Sequence, residues 1–231
     1  MNLLALETSA ETASVALMMG GDILIREGGT PGTHARFVLP WVAELLAESG
    51  LTLGKLDAVA FSSGPGSFTG LRLAVSVAQG LALGADLPVV DVPTLDALAL
   101  ACGDGTHLCC VDARMSEVYS GRFDVSGSDV VARSALSVGD PSALQAPDGV
   151  LSAWQGCGSG FALEPVLALP WVSSLRAVRA SVSAHAREVA RLGQVRLGQG
   201  LGQDAALAAP RYVRDKVAQT TAERLAAGGR A

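Results

Sequence analysis

Aromatic residues are scarce in this 231-residue chain, with three Trp, two Tyr and five Phe. A core must therefore be built from Ala, Val and Leu, and at 49% apolar residues there are enough of them to exclude a disordered chain. Basic charge is also short. The formal net charge is −5, which argues against a surface that grips nucleic acid unaided, because phosphate contacts need clustered Lys and Arg. The nearest approach to a basic cluster, Arg211, Arg214 and Lys216, is interrupted by Asp215. The opening "MNLLALETSAE" has no basic leader, and its apolar run is too short for a secretory signal or for a membrane span of about 20 residues. A cytoplasmic protein with no membrane partner is expected. Cysteine is limited to Cys102, Cys109, Cys110 and Cys157, with no C-x-x-C spacing. Cys109 and Cys110 are adjacent in a strand-like run and must point to opposite faces, so free core thiols are expected rather than a metal site or a disulfide.

What is present reads as α/β. The runs "LLALE" (3–7), "ASVALMM" (13–19) and "DILIRE" (22–27) are joined by links too short for a helix, so they are antiparallel neighbours. A helix over 34–49 follows, with Thr33 as N-cap and Gly50 past its end. Then come a strand (57–62), a glycine loop opening a helix (69–83), a strand (88–92) and a helix (94–101). Three antiparallel strands followed by α-β-α-β-α is the order of a ribonuclease-H-like domain. A Rossmann domain would begin β-α-β, with its glycine loop after the first strand.

After Gly103 the pattern restarts. "HLCCVDARMSEVYSGRFDV" (107–125) reads as strand, tight link, strand, and Asp112 falls where Glu7 fell in the first half. We read two tandem ribonuclease-H-like domains, 1–102 and 103–231, the second smaller and including the tail. "GVLSAWQGCGSG" (149–160) enters a second glycine loop, "SVSAHAREVARLGQV" (181–195) is an amphipathic helix, and the charged stretch from Pro210 is short and helix-prone.

The loop "GPGSFTG" asks whether a nucleotide is held, since free N–H groups at a helix start attract anions. No Walker pattern fits it, the first hairpin carries "ETSAET" in place of a glycine-containing turn, and no lysine lies nearby. Gly64, Gly66, Thr69 and Gly70 are therefore expected to serve tight strand-to-helix packing. Glu7, Thr8, Asp112, Gly156 and Gly158 mark where a vestigial nucleotide site would lie. A His-x-x-x-His metal pair is incomplete, because His34 is followed by Val38, and no Ser or Cys is paired in sequence with a base.

Taken in order, "LALETSAETASVAL", His34 ahead of "VLPWVAELL", "SSGPGSFTGLRLAVSVAQGLALG", "CCVDARMSEVY", "GCGSG" and "PRYVR" resemble the TsaB family, also called YeaZ. The resemblance implies a non-catalytic subunit of the bacterial machinery that makes N6-threonylcarbamoyladenosine (t6A) at position 37 of ANN-decoding tRNAs. It implies a catalytic partner, TsaD, that holds the metal, and an ATPase, TsaE, as third component. It further implies tRNA contact only through the complex, a homodimer when isolated, and no cofactor of its own, with ATP or ADP entering only at the interface with the partner. The lone His34 fits the non-catalytic branch. The alternative is an independent ATP-using enzyme of the actin or sugar-kinase type, with Glu7 and Asp112 as metal-binding acids. A glycoprotease-type metallopeptidase is disfavoured by the missing histidine.

Two helices read as partner surfaces or, in the alternative, as contacts between the chain's own two domains. Both are apolar around most of their circumference, whereas a helix covering one sheet face needs an apolar stripe of about 100°. The expected interface comprises His34, Phe37, Val38 and Trp41 on the first, and Leu71, Arg72, Val75, Ala78, Gln79 and Ala82 on the second. Which side of the second meets the sheet is not fixed by the pattern.

Overall fold

The computed structural model describes residues 1–214. Its first sheet begins with an antiparallel meander, β1 (Asn2–Glu7), β2 (Ala13–Met19) and β3 (Asp22–Gly28). There follow α1 (Val38–Ser49), β4 (Ala58–Gly64), α2 (Phe68–Ala85), β5 (Val89–Pro93) and α3 (Thr94–Ala101). The strand order is β3-β2-β1-β4-β5, with β4 parallel to both β1 and β5. This is the expected ribonuclease-H-like arrangement. Leu4, Leu6, Val15, Leu17, Val59 and Phe61 alternate to one face, under α1 and α2. Leu3, Ala5, Ala16, Ala58, Ala60, Val90 and Val92 fill the other. Burial on both faces is why these strands read as continuous apolar runs.

The second sheet is built from β6 (Gly105–Arg114), β7 (Glu117–Ser126), β8 (Asp129–Ala132), β9 (Ser137–Gly139), β10 (Trp154–Cys157) and β11 (Ala177–Arg179). Its order, β11-β10-β6-β7-β8, with β9 also on β7, repeats the first. A meander is extended on its first strand by parallel neighbours, so the duplication is present in topology. The connecting helices are not repeated, and α4 (Glu164–Leu167) is a single turn.

Two helices depart from their expected form. Residues 34–36 make a separate 3₁₀ turn, and α1 starts only at Val38. Pro40 lacks an N–H and is tolerated only in a first helical turn. The Thr33 hydroxyl, expected to cap the helix, donates instead to Thr30 O at 2.8 Å. The helix α5 (Ala186–Gly198) begins where the His185 ring accepts from Arg187 N. It packs on the first sheet rather than the second: its contacts run to β1, β2, β4 and β5, and Gly193 lets it approach Ala60 so closely that an added Cβ would come to 2.8 Å. A bridge between Val89 and Gln203 continues this return. Residues 186–208 thus pack with the first 102 although they follow the second sheet. Residues 210–214 form no helix, and the remainder of the charged tail lies outside the described residues.

Candidate functional site

The glycine loop is filled by the protein's own backbone. Glu7, fully buried at the end of β1, accepts through Oε1 from Ser9 N (2.5 Å), Ser9 Oγ (2.7 Å) and Ala10 N (3.1 Å), which fixes the β1–β2 turn. That turn lies against the start of α2. The Thr8 hydroxyl donates to Gly70 O at 2.6 Å, and Ser67 N donates to Ser9 O at 3.0 Å. A Cβ on Gly66 would lie 2.7 Å from Ser9 Cβ, and one on Gly70 would come within 2.8 Å of the Thr8 carbonyl carbon. Gly64, at φ +121°, has Arg211 O in the same role at 2.5 Å, and its N–H is taken by Thr94 Oγ1 at 3.1 Å. Gly64, Gly66 and Gly70 are packing glycines, while Thr69 is exposed on the first turn of α2.

Several of the residues marked for a nucleotide are engaged within the chain itself. The Glu7 Oε1 atom serves the turn, and both Asp112 carboxylate oxygens are occupied by Arg114, through its N–H at 2.7 Å and its guanidinium at 3.2 Å. An added Cβ on Gly156 would strike the Phe161 ring at 2.7 Å, and one on Gly158, at φ +104°, would reach Cys110 O at 2.5 Å. The second glycine loop therefore also serves close packing. His34 is buried with Nδ1 3.3 Å from Thr8 O and Nε2 3.2 Å from Glu11 O, and Val38 lies in the core.

A cleft of ≈ 790 Å³ separates the glycine loop from the β6–β7 turn. Its walls are mostly apolar, and the arginines around it are already engaged. Arg114 bridges Glu11 and Asp112 across the two halves, Arg211 pairs with Asp91, and Arg214 pairs with Glu117. Arg72 lies 3.9 Å from the Phe68 ring centroid, and Tyr212 packs on the same ring. The β6–β7 turn holds Arg114, Met115 and Ser116 at φ of 61°, 54° and 58°. Three consecutive non-glycine residues in this region are strained. Sequence reasoning missed Ser9, Thr94 and this turn; the "PRYVR" stretch was the one signal that the C-terminal segment belongs here.

Asp96, in the first turn of α3, sits beside this segment. Burial pushes its pKa up from 3.8 to about 6, against the opposing pull of Arg196 and Arg211 and with a small further rise from Asp91. A raised carboxylate contributes stability that is full below the unfolded pKa and lost as pH rises through the folded one. Ionised Asp96 thus costs about 3 kcal/mol at neutral pH. We expect Asp96→Asn to melt several degrees above the parent at pH 7.5, with the gap closing as the pH is lowered toward 4. An equal gap at both pH values in thermal melts would contradict this.

The outer helical layer carries the other candidate surface. In α2, 18 residues with a mean hydropathy of 1.3 are long and apolar enough by those measures to cross a membrane. Gly70, Leu71, Ala74, Val75, Ala78 and Ala82 face the protein's own sheet and are buried. Leu71, Val75, Ala78 and Ala82, expected at a partner interface, are therefore core residues, as are Val38 and His34. Gln79 is half-buried and donates to Ala208 O at 3.2 Å. Of the remaining expected residues, Arg72 and Phe37 are exposed, and Trp41 stacks on Phe37 with centroids 5.4 Å apart. The open face of α2 is instead Ser76, Gly80, Leu83 and Gly84, where a Cβ added to either glycine meets nothing within 4 Å among the described residues. Beside it α1 exposes Leu39 (52%), Ala43 and Ala47.

Comparison with known proteins agrees with this fold. A family model described as "TsaD: tRNA N6-adenosine threonylcarbamoyltransferase" matches residues 30–222. The chain is 46% identical over 123 residues to the tRNA threonylcarbamoyladenosine biosynthesis protein TsaB of Haemophilus influenzae, covering 52% of each. The protein of the same name from Escherichia coli K12 is 42% identical over 123 residues, covering 52% of this chain and 53% of that one. The chain thus spans about half the length of the curated relatives it matches. Among solved structures, YeaZ from Pseudomonas aeruginosa superposes with a TM-score of 0.81 at 35% identity, over 91% of this chain and 99% of that one. With that match running through both sheets, and with the threonylcarbamoyltransferase model covering most of the chain, the protein belongs to the TsaB (YeaZ) family.

Proposed function

We propose that this protein is the non-catalytic partner subunit of the machinery that makes t6A at position 37 of ANN-decoding tRNAs. In this reading it binds and supports a TsaD-type catalytic subunit in the cytoplasm, with the ATPase TsaE as third component, and self-associates through the same face when alone. The observation that carries the reading is the open face of α2. Glycine in a helix interior costs roughly 0.5–1 kcal/mol against Ala, yet Gly80 and Gly84 have no neighbour to accommodate among the described residues of their own chain. A close-packed helix from another chain would account for both. The names of the curated TsaB relatives support the pathway. The Asp112 carboxylate, both oxygens of which accept from Arg114, supports the absence of independent ATP chemistry.

The test is size-exclusion chromatography with the catalytic subunit. Co-elution with the parent chain and its loss in Gly80→Leu, at an unchanged melting temperature, is expected. Micromolar Mg-ATP binding with turnover by the isolated chain would replace this reading with the independent enzyme.

Direct tRNA affinity is expected to be weak. The net charge is −5, and the arginines of the C-terminal segment, Arg211 and Arg214, are already paired with Asp91 and Glu117. A filter-binding constant for the isolated chain tighter than the ~10⁻⁶ M of non-specific contacts at physiological salt would contradict it.

A further inference from the structure

Cys102, His107 and Cys157 are buried together, with one donor atom of each lying within 4.8 Å of the others. They come from three elements: the end of α3, β6, and the last residue of β10, which runs parallel to β6. The His107 ring is oriented by its own backbone contact. Nε2 lies 2.7 Å from Gly103 O, which can only accept, so Nε2 carries the hydrogen. In the neutral ring Nδ1 is then left with its lone pair, 3.6 Å from Cys157 Sγ. Metal-bound histidines are held in this way, the second nitrogen donating to a carbonyl. The distance also fits: a tetrahedral zinc with Zn–S of about 2.3 Å and Zn–N of about 2.0–2.1 Å has an S···N edge of about 3.6 Å.

We propose that Cys102, His107 and Cys157 form a structural site for a thiophilic divalent cation, zinc, bound by two thiolates and one neutral imidazole. Two thiolates and Zn²⁺ sum to zero charge, which suits a buried position, and thiolate with imidazole is the donor set zinc selects. Both thiols lose their protons to solvent on binding, and one position is left for a small solvent-derived ligand. Because Cys102 ends α3 while His107 and Cys157 belong to the second sheet, the ion would clamp the two halves of the chain.

The test uses the full chain, stripped with a chelator under reductant, then titrated with Zn²⁺ against a chromogenic competitor and with Co²⁺ by absorbance. One equivalent, a thiolate-to-cobalt charge-transfer band and a higher melting temperature with zinc are expected. Cys157→Ser and Cys102→Ser should each weaken binding at least tenfold. Cys110→Ala should not, because that thiol lies in a separate cluster beyond the other face of β6. Absence of the cobalt band in the parent chain, or equal affinity in Cys157→Ser, would overturn the assignment. So would equal loss in a folded Cys110→Ala, which would mark non-specific thiol binding.

Discussion

Gly70→Ala is expected to lower the melting temperature by about 10 °C. The added methyl would meet backbone on the far side: the Thr8 carbonyl carbon at 2.8 Å, its oxygen closer still, and Ser9 Cα at 3.0 Å. No rotamer change relieves a clash of that kind, so either α2 or the β1–β2 turn must move. The Thr8–Gly70 hydrogen bond and the Ser67–Ser9 bond that join the two elements would go with it. Overpacking typically costs 1–3 kcal/mol and occasionally more. With backbone on both sides of the contact we place this change at about 3–4 kcal/mol, or 2–4 °C per kcal/mol for a chain of this size. Gly80→Ala is the matched control. It enters space left open by the described residues on the same helix and should raise stability slightly through helix propensity. Equal melting temperatures for the two variants would show that Gly70 is not held by the turn.

The second large effect separates the two sides of α2. Val75 is 5% exposed and packs on the sheet, so Val75→Glu buries an unpaired carboxylate and should unfold the chain or cost several kcal/mol. Ser76, one residue on, is exposed. Ser76→Glu should leave the melting temperature within a degree of the parent while shifting elution toward monomer and reducing capture of the catalytic subunit. If Ser76→Glu unfolds the chain as Val75→Glu does, the outer face is not free. If it folds and still associates fully, the interface lies elsewhere.

Much of the first sheet was legible because each strand is a short apolar run bounded by turn residues, and because links of a few residues permit only antiparallel neighbours. The start of α1 was legible in principle from Pro40, but a continuous apolar period from His34 hid it. The facing of α2 was not legible. Its polar residues are too few to mark an outside, so Leu71 and Val75, which meet the sheet, were expected at the partner interface. The glycine loop shows the limit of spacing arguments: the same glycines serve a phosphate or a neighbouring turn, and only the position of residues 8–10 decides. The thiol–imidazole cluster was hidden for a related reason. Its members are separated by 5 and 50 residues and meet only through the β6–β10 register.

The return of α5 to the first sheet also sets the order in which the protein can be completed during synthesis. One face of β1, β2 and β4 is covered by a helix that begins 85 residues after α3 ends. At a typical ribosomal rate this interval lasts on the order of 10 s. Throughout it, Leu3, Ala16 and Ala60 lack part of their cover, although every strand of their sheet has already been made. Closing that face depends on contacts far apart in sequence, the kind that slows folding. A nascent chain stalled anywhere before Ala186 therefore presents an apolar sheet face to whatever it meets first.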